Sequence, residues 1–159
     1  MKKKIAIIVI ALVTLIILIQ IIPVKRDNPE VTGKFTEHSE VMMVVQRCCY
    51  DCHSNETVWP WYSYVAPVSW LVAHDVHEGR GHLNFSEWQL LPYEKRVGLQ
   101  SEIWDEVQSG KMPPSGYLAM HKNAKITDSD RSILKRWAVD ESSRNGSLKV
   151  YPLPQTNDK

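Results

Sequence analysis

The chain has 159 residues, 19 basic and 18 acidic, with six tryptophans and six tyrosines against two phenylalanines. That is one domain's length once any targeting segment is set aside. No basic block and no acidic tail occur, so nucleic acid is not an expected partner, because phosphate binding needs clustered Lys and Arg.

Met1-Lys2-Lys3-Lys4 opens the chain, and Ile5 to Ile22 ("IAIIVIALVTLIILIQII") carries no charge. A helix of about 18 such residues reaches about 27 Å, close to the hydrocarbon thickness of a bilayer. A signal peptide's apolar region is shorter, about 7–15 residues, and the A-x-A that should follow it is missing. Residues 1–24 are therefore expected to be an uncleaved, single-pass transmembrane anchor. Lysines before the span put the N-terminus in the cytoplasm and the rest of the chain across the membrane.

Residues 25–35 read as a linker, with Pro29 and Gly33 in it, and residues 36–141 as the domain proper. Val41, Val44, Val45 and Cys48 recur at helical spacing, which predicts an amphipathic helix over 37–47 running into the cysteines. Asn55 to Pro67 ("NETVWPWYSYVAP") holds four large aromatics and two prolines and reads as an ordered loop. A helix follows from about Pro67 to Glu78, with Gly79 at its end. Trp88 to Pro92 is a connector. Pro92 to Ser109 is a longer helix with Val97, Ile103, Trp104 and Val107 on its apolar side and Gly110 at the cap. Lys111 to Ile126 looks irregular. Thr127 and Asp130 have capping-box spacing before a helix that places Ile133, Leu134, Trp137 and Ala138 on one face. The tail, 142–159, is polar and expected to fray. No strand ladder is visible, so the fold class is all-α, with short helices and long loops whose modest core suits a large cofactor.

All three cysteines lie in "CCYDCH", residues 48–53. A disulfide framework wants an even number spread along the chain. Cys49-Tyr50-Asp51-Cys52-His53 is C-x-x-C-H, the attachment signature of c-type haem. On a helical turn residues i and i+3 share a face, so two sulfurs can form thioethers to the two vinyl groups of one porphyrin edge. His53 can then bind the iron as proximal ligand. Cys48 breaks this spacing and is the spare. The competing readings are a dithiol site, which expects a βαβ setting that is not visible, and a zinc site completed by His74 and His77, whose spacing is unusual.

Met112 precedes Pro113-Pro114 and is the expected sixth iron ligand, since a stiffened loop can present its thioether without movement. His121 and His74 are the alternatives. His38, His77 and His82 are expected in solvent. Trp59, Trp61, Tyr62, Tyr64 and Trp70 are candidates to wall the haem, and Arg80 to neutralise a propionate.

"CYDCHSNETVWPWYSYVAPVSWLVAHDVHEGRGHLNFSEW", "KMPPSGYLAMHKNAKITDSD" and "LKRWA" resemble the bacterial haem-binding domain family over about 28–138. The resemblance implies a covalent haem at Cys49 and Cys52, His53 on the iron, and one membrane anchor per domain. The M-P loop and closing helix also resemble the class I cytochrome c plan, which makes Met112 the distal ligand. The function so expected is single-electron transfer by one haem c at the periplasmic face of a bacterial inner membrane, with redox partner proteins and no catalysis. A haem-based sensor is the alternative, and peroxide reduction a more distant one.

Overall fold

The structure, a computed structural model, describes residues 1–147, with side chains described as far as Val139. Among these residues there are seven α-helices, three short 3-10 helices and no strand, so the all-α expectation holds. Two compact units result, one of 1–36 with 45–90, the other of 37–44 with the chain from Leu91 onward.

The first unit opens with α1, Lys2–Ile19. The transmembrane expectation fails here. No helix of the described residues is long and apolar enough to cross a membrane. Three of the eighteen residues of α1 are lysines. The remaining fifteen reach about 22 Å, short of the ~30 Å hydrocarbon core. The helix also ends before Ile21 and Ile22, and the Gln20 side chain at its C-cap holds both backbone groups of Ala66. Its Oε1 accepts from the Ala66 N–H (2.9 Å) and its Nε2 donates to the Ala66 carbonyl (3.1 Å). With the span goes the expectation of a single-pass protein of a bacterial inner membrane with a periplasmic domain.

The segment after α1 is an ordered strap. Arg26 donates to the Ser63 carbonyl (3.1 Å) and lies over the Tyr64 ring. Asn28 donates to the Thr57 carbonyl (2.9 Å), and Asn55 to that of Glu30 (2.8 Å). The N–H groups of Gly33 and Phe35 then bond the carbonyls of Ser86 and Phe85. Gly33 passes so close that an added Cβ would stand 2.8 Å from Leu90 Cγ. Phe35 thereby enters an edge-to-face cluster with Phe85 and Trp88, all three fully buried, with Tyr50 stacked on Phe85.

Helix α2 (Ser39–Cys48) buries Val41, Val44, Val45 and Cys48, the stripe its spacing predicts. Helix α3 is the single turn Tyr50–His53. The aromatic loop contains one 3-10 turn, Trp61–Tyr64. Helix α4 runs Val68–His82, four residues past the expected end at Glu78. Gly79 is interior to it, and its backbone lies against α3. Phe85–Leu90 form a 3-10 turn that supplies the Phe85 and Trp88 core.

In the second unit α5 spans Tyr93–Gln108 and α7 spans Asp128–Ser147; the two helices pack together, and Val97 and Val107 of the first and Leu134 and Trp137 of the second are buried. Arg131 ties the pair by donating to the Val107 carbonyl (2.8 Å). Gly110 has φ +75°, the left-handed conformation that closes α5 and that glycine adopts without a Cβ penalty. The N–H groups of Lys111 and Met112 both return to the Glu106 carbonyl (3.1 Å each). The stretch read as irregular contains α6, Ser115–Met120. The capping box forms: Asp130 accepts from the Thr127 N–H and hydroxyl (2.8 and 2.7 Å), and Thr127 Oγ1 accepts from the Asp130 N–H (3.2 Å). Helix α7 continues beyond 141, where the tail was expected to start, and the rest of that tail lies outside the described residues.

Candidate functional site

Cys49 stands at the joint between α2 and α3. Its N–H bonds back to the Val45 carbonyl (2.9 Å), and its own carbonyl accepts from Cys52 (3.2 Å) and His53 (2.9 Å). Its φ of −125° interrupts the helix. That break sorts the three thiols. Cys48 ends the buried face of α2 at 5% exposure, whereas Cys49 and Cys52 are half-buried, one helical turn apart. All three are free.

Burial, with Cys48 and Cys52 nearby, pushes the Cys49 thiol up to about 12. Burial, with the Asp51 and Asp75 carboxylates, pushes Cys52 up to about 11. Both are protonated at neutral pH. A dithiol built for exchange needs a lowered pKa, because the thiolate is the nucleophile. The zinc reading meets a separate obstacle. Among the described residues no three His, Cys, Asp or Glu side chains gather to hold an ion, and His74 and His77 are exposed.

The His53 ring is set against α4. Its Nδ1 is 2.9 Å from the Gly79 carbonyl and 3.2 Å from that of Leu83. Carbonyls only accept, so Nδ1 carries the proton and Nε2 keeps its lone pair. A metal-ligating imidazole needs this tautomer, with a carbonyl behind the ring to fix its orientation and raise its basicity. Burial lowers the His53 pKa, and the two carbonyl contacts oppose that fall, so the ring is neutral at pH 7.

Gly79 makes the contact possible. A Cβ on it would stand 2.5 Å from the Cys52 carbonyl oxygen and 3.1 Å from the carbonyl carbon. Sequence reasoning placed Gly79 at a helix end and missed this role. The available signal was a helical pattern that continues through Arg80 to His82, with a glycine inside it where another backbone comes close.

Arg80 is not free for a propionate. It donates to the Ser54 carbonyl (2.7 Å), the Asp27 carbonyl (2.9 Å), Asn28 Oδ1 (2.9 Å) and Thr57 Oγ1 (2.8 Å). These bonds hold the chain leaving His53 to the strap. Thr57 Oγ1 donates to the Asp51 carbonyl (2.8 Å), and the Val58 N–H to Asp51 Oδ1 (3.3 Å). Of the aromatic residues expected to wall a cofactor, Trp59, Tyr62 and Trp70 are half-buried, while Trp61 and Tyr64 are exposed. Burial and the nearby Asp51 and Cys52 raise the Tyr62 phenol, which puts it beside the motif.

The candidate sixth ligands differ in surroundings. Met112 belongs to the second unit and is 38% exposed. His121, in the same unit, stacks on Tyr117 at 4.1 Å with its Nδ1 3.2 Å from the Tyr117 carbonyl. His74 is exposed on α4.

The model of the haem-binding domain family matches residues 14–140. The chain belongs to that family. It is a haem-binding protein. The chain is also 23% identical over 135 residues to "Cytochrome c peroxidase Ccp" of Escherichia coli (strain K12), a match covering 76% of this chain and 29% of that protein. The chain thus spans under a third of that relative's length. No solved structure matches it. The residues present fit a haem: His53 offers a neutral ring with its Nε2 lone pair kept, and two half-buried thiols one turn apart precede it.

Proposed function

We propose that the chain carries one haem c, held by thioethers from Cys49 and Cys52, with His53 as proximal iron ligand and Met112 as sixth ligand. It passes single electrons to and from a partner protein. When bound, the haem supplies the one-electron iron couple. The chain's own part is to fix the imidazole, wall the porphyrin and present the thioether.

The observation that carries this reading is the His53 ring, whose Nδ1–H is committed to the Gly79 and Leu83 carbonyls. Half-exposure of Cys49 and Cys52, with Cys48 buried, supports the choice of sulfurs. The experiment is expression with a c-type maturation system, haem staining of a denaturing gel, and the reduced pyridine spectrum. A haem-positive band with a two-thioether spectrum is expected. A haem-free band from a host that matures other cytochromes overturns covalent attachment. For the sixth ligand, Met112→Ala is expected to lower the reduction potential and open the iron to added imidazole. An unchanged spectrum would transfer the role to His121 or His74.

One observation favours a second reading, peroxide reduction: the similarity to a protein named as a cytochrome c peroxidase. His121 could serve as the acid–base group, with its Nδ1 set by the Tyr117 carbonyl. Peroxide-dependent oxidation of a reduced donor protein, lost in His121→Ala, would establish it. A holoprotein that is inert to peroxide and readily oxidised and reduced supports electron transfer.

A further inference from the structure

The aromatic loop turns two of its rings outward. Trp61 is 73% exposed and Tyr64 is 59% exposed. They are three residues apart on the 3-10 turn, a geometry that sets one side chain over the other. Val68 and Leu71, also three apart, are exposed at the start of α4, which packs against that turn. Val58 and Val65 are exposed as well. A single exposed apolar residue is ordinary, but six large ones left in water between Val58 and Leu71 mark an interaction surface.

Charge is the second observation. Thr57 to Ala73 ("TVWPWYSYVAPVSWLVA") contains no Asp, Glu, Lys, Arg or His. Such a face has little to steer a charged partner. It takes one by apolar contact around an aromatic anchor, and tryptophan and tyrosine are the usual anchors.

The third observation is where the face begins. Thr57 and Val58 are tied to Asp51 inside C-x-x-C-H. Tyr62 stays beside the motif, since Asp51 and Cys52 help to raise its phenol. The Trp61 and Tyr62 rings meet edge to face, with centroids 5.8 Å apart and planes at 81°. Two rings in contact therefore lead from the neighbourhood of Cys52 to solvent.

We infer that a redox partner protein docks on this uncharged face through an apolar surface of its own, with Trp61 as the anchor. This rests on the haem reading above and adds to it the place where the electron crosses. The iron of one protein loses one electron and the partner's centre gains it; no bond breaks and no proton moves.

The probe is the holoprotein itself, because a second copy offers the same apolar face. Electron self-exchange between its ferrous and ferric forms is read from haem-methyl line widths in NMR spectra of mixtures. The wild-type rate is expected to change little between low and high salt. Trp61→Ala should lower it about tenfold, the loss of one interface anchor, with the reduction potential unchanged. Met43→Ala, at an exposed site on α2, should leave the rate as it is. A wild-type rate in Trp61→Ala overturns the inference. So does a steep salt dependence of the wild-type rate, which would put the contact on a charged surface. Should Trp61→Ala fail to mature, Val58→Lys decides. It places a cation at a position 76% exposed on the face, so that two copies repel there. Its rate should fall at low salt and recover at high salt, and a wild-type rate at low salt overturns the inference. A wild-type protein without haem on the gel fails the haem reading instead, and that result is known before any rate is measured.

Discussion

Gly79→Ala is the most direct challenge to the way α4 supports the haem motif. The new Cβ would lie 2.5 Å from the Cys52 carbonyl oxygen, where real contacts stay beyond 3.0 Å. That oxygen is backbone and cannot rotate aside, so α3 and α4 must part by at least about 0.5 Å at the contact. The same shift would stretch the 2.9 Å His53–Gly79 hydrogen bond past the ~3.2 Å limit of a good N–H···O bond. Overpacking of this kind costs about 1–3 kcal/mol. Replacing glycine inside a helix returns about 1 kcal/mol, which hides part of the cost. Gly98→Ala removes the ambiguity, because Gly98 is interior to α5 with nothing within 4 Å of its added Cβ. The propensity gain is common to both variants, so the difference between them isolates the clash at about 1–3 kcal/mol. Urea unfolding of the holoproteins, followed by far-UV circular dichroism, measures it, and the reduction potential reports the His53 bond. A Gly79→Ala protein as stable as Gly98→Ala, with unchanged potential, would refute the reasoning.

The thiols divide by burial. Cys48→Ala should mature with full haem, and Cys48→Ser should also mature but lose about 1–3 kcal/mol, because a hydroxyl then sits at a position only 5% exposed. Cys49→Ser should lose a thioether, which the reduced pyridine spectrum reads directly. Arg80→Lys cannot reproduce a planar fork with four acceptors and should cost about 1–3 kcal/mol in urea unfolding while keeping its haem. In the haem-free chain Cys49 and Cys52 are raised to about 12 and 11. A thiol with a raised folded pKa favours folding fully below its unfolded value near 8.5, and that contribution is lost as pH climbs to the folded value. Stability of the haem-free chain should therefore fall from about pH 8.5 upward, and thiol alkylation near pH 7.5 should be slow until urea is added.

What the sequence made legible was local. Val41, Val44, Val45 and Cys48 share a stripe because helical spacing needs only neighbours, and the Thr127–Asp130 box forms because its partners are three residues apart. Gly110 at the end of α5 is a local signal too, as its positive φ shows. What the sequence hid was set by distant partners. Gly79 looked like a helix end because the reason for a glycine there is a Cys52 backbone 27 positions away in the chain. Arg80 looked available to a propionate because its acceptors are distant in the chain, Asp27 and Asn28 on a strap that read as a linker, and Ser54 and Thr57 just past the motif. The apolar run at the N-terminus read as a span because hydropathy does not record where a helix stops. It stops after Ile19, where Gln20 spends its side-chain amide on Ala66, and no described helix is left long and apolar enough to cross a membrane. These misses share one site. Gly79, Arg80 and the strap all bear on the few residues around C-x-x-C-H, so the motif named the chemistry while remote contacts supplied its geometry. The His53 bond is the clearest instance: the motif specifies the imidazole, and only α4 specifies which nitrogen keeps its lone pair.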